Sequence, residues 1–351
     1  MSFSDLTSEQ TRQLIDTEQI FGTWRTTEAE LKSRYAGSMH WQTARGREYL
    51  YRKIGRVRHS LGPRSPETEK AYAAHTEGRE RLQRVLRGTA ARLNRMAPVN
   101  KALGLGRVPT IVSRIVRRLD EAGLLGRNVR IAGTHALFAY ERLCGVHVAR
   151  DLVATDDVDL LYDHRTRLRL TIQDLRIEGI MGVLRQVDDT FTVIANRPYA
   201  AANRDGFMVD LITPPESNDL IASKPRSRIG KNAEDLAAAE VGGLAWLVNS
   251  PSFEGTAIAA NGFPVRMVCP DPRAWAVHKL WLSERDDRDA LKRGRDRAQG
   301  LLLVGLMRER RPDMPFESLE LSALPRMLFS YVLGEPESGD HKDDDRLEPD
   351  W

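Results

Sequence analysis

Apolar positions change their period along the chain, and each change marks an element. From residue 5 to 36, Leu14, Ile15, Ile20, Phe21, Trp24, Leu31 and Tyr35 recur at helical spacing, which predicts one or two helices with an apolar face. Arg47 to Lys53 then alternates every second residue. Gly55 interrupts it and Arg56 to Leu61 resumes before Gly62-Pro63, so a β-hairpin is expected over 47–61. Ser65-Pro66-Glu67 opens a long helix to about Met96, because serine caps an N-terminus and proline fits the first turn. Pro98, Gly104 and Gly106 mark a boundary. The next helix, Pro109 to Leu125, could pass for the recognition helix of a helix-turn-helix, which reads bases through exposed polar side chains. Ile111, Val112, Ile115, Val116 and Leu119 give it the wide apolar face of a core helix, the preferred reading.

In the second half, Val129 to Ala132 reads as a strand, Gly133-Thr134 as a turn, Ala136 to Leu143 as a helix and Val153 to Tyr162 as a second strand. Residues 165 to 186 alternate between helical and extended segments. Phe191 to Ile194 and Gly206 to Thr213 read as strands. Leu244 to Val248, with a hairpin of Thr256 to Ala260 and Phe263 to Cys269 about Asn261-Gly262, is expected to complete a mixed sheet. Helices follow at about 272–285, 287–311 and 316–333. From Gly334 the chain is polar and mainly acidic, including Asp343-Asp344-Asp345, and reads as a disordered tail. The organisation expected is α+β: an N-terminal helical extension at 1–127, a mixed-sheet core at 128–270, C-terminal helices at 271–333 and the tail at 334–351.

Composition narrows the partners. With 41% hydrophobic and 29% charged residues in 351, the chain is an ordinary globular one long enough for two or three domains. The net charge of +4 is carried mostly by arginine, whose planar fork suits phosphate. Arg79, Arg81, Arg84, Arg87, Arg92 and Arg95 load the second half of the long helix. Arg84 and Arg87 are the candidates for contact with a nucleic-acid backbone. A solvated face partly paired with Glu67, Glu69, Glu77 and Glu80 explains the same residues equally well. Cys144 and Cys269 lie far apart without metal-ligand spacing, which disfavours a disulfide framework and favours a reducing cytoplasm. MSFSDLTSEQTRQ lacks the apolar core of a signal peptide, and no run approaches the roughly twenty apolar residues that span a bilayer, so no membrane role is expected.

Candidate chemistry concentrates in Val129 to Asp163. Alternation in a strand puts Asp157 and Asp159 on one face while Val158 and Leu160 point into the core. Paired carboxylates on a buried strand need a counter-charge, and a divalent metal is the usual one. The Gly133-Thr134 turn, opening a helix, offers backbone N–H groups to a phosphate. Asp210 stands alone among Phe207, Met208, Val209, Leu211 and Ile212. An unpaired buried carboxylate is costly, so a metal shared with Asp157 and Asp159 would account for it.

The ordered set of Gly133-Thr134, Thr155-Asp156-Asp157-Val158-Asp159-Leu160 and Val209-Asp210-Leu211 resembles the DNA polymerase beta-type nucleotidyltransferase superfamily. SLGPRSPETE (60–69), GLGRVP (104–109) and GTHALFAYE (133–141) carry a narrower likeness to a bacterial nucleotidyltransferase-fold group with a helical N-terminal extension. The resemblance covers the chain to about residue 333. It implies that the mixed sheet is a nucleotidyltransferase core and that Asp157, Asp159 and Asp210 are catalytic and hold two magnesium ions, which manganese could replace. It further implies that Asp210 helps take the acceptor's proton, and that Gly133, Thr134 and Lys279 bind the NTP. His135 stands where related proteins often carry asparagine. Lys279, Arg285, Lys292 and Asp296 resemble the helical segment after the catalytic domain in minimal and toxin-type nucleotidyltransferases, although surface pairs such as Asp289–Arg293 or Lys292–Asp296 explain them as well. The expected activity is transfer of an NMP from an NTP to a hydroxyl, with RNA or tRNA as acceptor and pyrophosphate released. The alternatives are a catalytically silent nucleotide- or nucleic-acid-binding regulator, and a DNA-binding protein built on the 109–125 helix.

Overall fold

A computed structural model describes residues 2–44, 46–163, 179–215, 234–329 and Val332. After a short strand, β1 (Phe3–Asp5), the first helix is α1 (Ser8–Ser33). Its capping box is complete: the Thr7 hydroxyl accepts from the Gln10 N–H and the Gln10 side chain accepts from the Thr7 N–H. Three antiparallel strands follow, β2 (Ser38–Ala44), β3 (Arg47–Ile54) and β4 (Val57–Pro63). The expected hairpin is present as β3–β4, and β2 adds a strand that its weak alternation of apolar and polar residues concealed.

Ser65 caps α2 (Pro66–Ala102) through its hydroxyl, which accepts from the Thr68 N–H. The helix runs past the expected boundary at Pro98. Proline cannot donate to the carbonyl of Asn94, but both residues are exposed, so water can serve that carbonyl. The inner face of α2 packs on α1 and on the small sheet, where Leu50 is fully buried and Trp41 lies against Tyr72 with ring centroids 5.9 Å apart.

In α3 (Thr110–Glu121), Val112, Ile115, Val116 and Leu119 are fully buried. The core reading of this helix holds, and the residues a recognition helix would expose are not on its apolar side. Beyond it come β5 (Val129–Ile131), α4 (Leu137–Cys144), β6 (Val146–Val148, antiparallel to β1), the single turn α5 (Arg150–Val153), β7 (Asp157–Tyr162) and α6 (Gly179–Val187). The expected strand at 153–162 therefore begins only at Asp157. Three strands, β8 (Thr192–Ile194), β9 (Arg197–Ala202) and β10 (Met208–Thr213), complete the order β5-β7-β10-β9-β8, and β11 (Ala239–Glu240) pairs with β10. β7 and β10 are parallel, whereas β5 and β9 run antiparallel to their neighbours, so the sheet is mixed.

Three sequence expectations need correction. Leu244–Asn249 is a helix, α7, because a short apolar run has no period that separates strand from buried helix. The hairpin of β12 (Ser252–Ile258) and β13 (Pro264–Pro270) is a separate two-stranded sheet packed on α3 and α4. After α8 (Pro272–Glu284) and α9 (Ala290–Arg310), the stretch expected as a helix at 316–333 holds the 3-10 turns Leu319–Leu321 and Arg326–Phe329, with α-helical conformation only at Val332 among the described residues. Pro315 and Pro325 precede these turns and interrupt the backbone hydrogen bonds a continuous helix needs. The segments at 164–178, the basic loop with Lys224, Arg226, Arg228 and Lys231, and the acidic tail lie outside the described residues.

One apolar core joins α3, the mixed sheet, α4, α6, the β12–β13 hairpin and the α8–α9 pair. Replacing Leu119 by alanine should therefore destabilise the protein by about 2–5 kcal/mol, read as a lowered denaturation midpoint with an unchanged slope. A loss below about 0.5 kcal/mol would contradict the core assignment of α3.

Candidate active site

Strand pleating decides where the acidic residues go. Val158 and Leu160 are fully buried, so Asp157 and Asp159 project together from the opposite face of β7. Asp156 is exposed. β10 runs parallel beside β7 with Asp210 opposite Asp159 and Met208 opposite Asp157. Val209 and Leu211 are fully buried, which turns Asp210 to the same face as the other two carboxylates. Neighbouring strands lie about 4.8 Å apart, so two hydrogen-bonded strands gather three negative charges in one patch.

The carboxylates differ in their surroundings. Thr155 donates its hydroxyl proton to Asp157 Oδ1. Asp210 Oδ2 stands 3.7 Å from Arg197 Nη2, while Asp210 Oδ1 is buried without a hydrogen-bond partner among the described residues. Burial, and then the charge of Asp157, push the Asp159 carboxyl up to about 6 against the pull of Lys279. Burial also raises Asp210, with Arg197 and Lys292 opposing it.

Gly133 has φ +53°, a conformation that favours glycine, and a Cβ here would overlap the Asp159 carboxylate. The turn thus lies directly against the acidic patch. Trp275 Nε1 donates to the Gly133 carbonyl at 3.1 Å. Thr134 is buried, and its hydroxyl accepts from Gln299 Nε2 at 3.4 Å, while the same amide donates to the Leu152 carbonyl at 2.6 Å. His135 is almost fully buried rather than on a pocket rim. Burial holds it at about 4 against the opposing pull of Asp157, so the ring is neutral near pH 7.

Lys279 is near the patch but already engaged. Its Nζ donates to Asp296 Oδ1 at 2.6 Å, and Arg288 holds Asp296 Oδ2 at 2.8 Å. The alternative Lys292–Asp296 pair does not form: Asp296 is taken by this network, in which Lys279 and Asp296 are buried and Arg288 is partly exposed. Lys292 is left exposed and without an ion pair among the described residues, with its charge felt by Asp210. Arg197 and Lys292 are therefore the cations that face the carboxylates without being tied into the core. Sequence reading missed Arg197 because Pro198 and three consecutive alanines hide the strand that carries it. Arg84 and Arg87 are exposed on the outer side of α2, unpaired with the neighbouring glutamates among the described residues, and α2 packs away from β7 and β10.

Among the described residues, no three His, Cys, Asp or Glu side chains are already gathered at metal-ligand spacing. The donor set nevertheless suits a hard divalent cation. It consists of carboxylates alone, it includes the unpartnered buried Asp210 Oδ1, and its charges raise one another's proton affinity where a cation would lower it. Metal-free protein should show this conflict. Because Asp159 titrates near 6 when folded, against about 4 unfolded, its ionised form costs stability above pH 6 and that cost is relieved as pH falls through 6. Asp159→Asn should accordingly stabilise metal-free protein at pH 7.5 by about 1–3 kcal/mol and much less at pH 5. A destabilisation at pH 7.5 would contradict the reading. Gly133→Ala should lower the denaturation midpoint, since the added methyl forces the turn or Asp159 to move; an unchanged midpoint would contradict the close approach.

No helix among the described residues is long and apolar enough to cross a membrane. No curated protein and no solved structure matches the chain significantly. A family model described as nucleotidyltransferase matches residues 110–325, from the start of α3 through the C-terminal helices, and includes all three aspartates and the Gly133 turn. With well over half of its length matched, the chain belongs to the nucleotidyltransferase family.

Proposed function

We propose that the protein is a magnesium-dependent nucleotidyltransferase that moves an NMP from an NTP to a hydroxyl of an RNA acceptor, tRNA included, and releases pyrophosphate. The observation that carries this reading is the register of β7 and β10, which sets Asp210 beside Asp159 on the face that also bears Asp157. Magnesium held by these three carboxylates, or manganese in its place, would offset the charge of the triphosphate and of the departing pyrophosphate.

The chain's own residues account for the rest of the chemistry. The acceptor oxygen forms a bond to the α-phosphorus as the bond to pyrophosphate breaks, and Asp210, raised in proton affinity, takes the hydroxyl proton. Arg197 and Lys292 face the same patch and would bind phosphate oxygens. The Gly133 turn brings backbone beside Asp159, where a triphosphate would lie against it. Thr134 and Lys279 serve this reading as supports, one buried under Gln299 and the other paired with Asp296. The exposed arginines of α2, with Arg84 and Arg87 at the centre, supply a basic face for the acceptor.

Purified protein given labelled NTPs, magnesium and total RNA should transfer label to RNA and release pyrophosphate. Asp157→Ala and Asp210→Ala should lower the rate by at least about 100-fold, and Arg197→Ala should act mainly through a raised KM for NTP. Nucleotide binding that is independent of metal, with no transfer to RNA, protein or small molecules, would instead support a silent binding protein.

A further inference from the structure

The N-terminal sheet of β2, β3 and β4 lies outside the segment matched by the nucleotidyltransferase family, so the family's catalytic chemistry does not require it. Its two faces differ. Leu50 and Trp41 on the inner face pack toward α2. Antiparallel register then sends His40 and Gln42 of β2, Arg47, Tyr49, Tyr51 and Lys53 of β3, and Arg58 of β4 to the outer face. Nothing among the described residues covers that face: Gln42, Arg47, Lys53 and Arg58 are exposed, and the three rings are partly so.

We propose that this outer face is a stacking platform for a single-stranded nucleic acid. Tyr51 and His40 are cross-strand neighbours with nearly parallel rings, 6.2 Å between centroids and 26° between planes. The Arg58 guanidinium lies over Tyr51 at 4.1 Å, held there by its 2.6 Å hydrogen bond to Gln42 Oε1. Aromatic rings and guanidinium planes are the surfaces on which unpaired bases stack, and Tyr49 and Tyr51, two residues apart, are spaced by about 6.6 Å along one strand. Charge points the same way. Residues 38–64 hold seven lysines and arginines against one acid, Glu48, which is engaged by Arg64. The outer face thus offers Arg47, Lys53 and Arg58 to a phosphate backbone with no carboxylate paired to them among the described residues. An anionic membrane would share the charge but would favour a cluster of exposed aliphatic chains, whereas those of this sheet are Ile54 and Val57, paired at the hairpin tip on the inner side, and a lone Leu61 at the bulge of β4.

The proposal deepens the RNA-acceptor reading, and binding measured without catalysis tests it separately. Full-length protein is titrated into fluorescein-labelled single strands of about twenty nucleotides, oligo(U) and oligo(dT) as separate arms, and into a duplex, with anisotropy as readout. Either single strand should bind more tightly than the duplex. Tyr49→Ala combined with Tyr51→Ala should weaken binding by at least about 30-fold, about 5-fold or more for each ring lost, whereas Tyr51→Phe keeps the ring and should bind as wild type. Arg47→Ala with Lys53→Ala, both at exposed positions and so independent of folding, should reduce the log–log salt slope by about 1.4. Asp157→Asn, which disables transfer, should bind the strands unchanged, so failure of the platform and failure of the catalytic reading are told apart. Wild-type affinity in the folded tyrosine double variant, equal affinity for duplex, or binding to phosphatidylserine vesicles with none to either strand would overturn the proposal.

Discussion

Three carboxylates on adjacent positions of two hydrogen-bonded strands repel one another, and the surrounding structure is arranged about that repulsion. The parallel register of β7 and β10 creates it by placing Asp210 beside Asp159. The cations around it are not equivalent. Lys279 is buried and shares Asp296 with Arg288, so it tempers Asp159 from inside the fold without being free to move. Arg197 and Lys292 are less enclosed: Arg197 Nη2 stands 3.7 Å from Asp210 Oδ2, and Lys292 is exposed with its charge felt by Asp210. A fold selected for stability alone gains nothing from such a patch, which is why conflict of this kind marks a functional site.

Distant parts of the chain hold the patch in place. Gly133 lies against Asp159, and the turn it begins is fixed by Trp275 of α8 and by Gln299 of α9. The C-terminal helices therefore do more than close the core: they set the backbone beside the carboxylates, so a change in α9 can reach the site without touching a ligand. The N-terminal part is built differently. α1, α2 and the three-stranded sheet pack largely on one another, which leaves Arg84 and Arg87 of α2 and much of the outer face of the sheet exposed.

What could be read from the sequence follows from how strongly each segment carried a period. β7 and β10 were legible because apolar residues alternate with aspartate, and Asp157, Asp159 and Asp210 came with them. α3 was legible as a core helix from its wide apolar face. Leu244–Asn249 was not, since a run of that length fits strand and buried helix alike. β2 and β9 were hidden by mixed or small residues, and Arg197 and the His40–Tyr51 ring pair were hidden with them. The Lys279–Asp296–Arg288 network could not be found by spacing, because it joins two helices rather than two turns of one. Gly133 was singled out for closeness to a triphosphate, whereas the contact that dictates glycine there is with Asp159.

The central claim is that Asp157, Asp159 and Asp210 together form a cation site at which an NTP is held. The most direct measurement is an anomalous difference map from crystals grown with manganese and a non-hydrolysable NTP analogue. The account predicts manganese density between the Asp159 and Asp210 carboxylates and in contact with Asp157, with the triphosphate against the Gly133 turn and Arg197. Nucleotide bound elsewhere, or bound here with no manganese at the three aspartates, would contradict it.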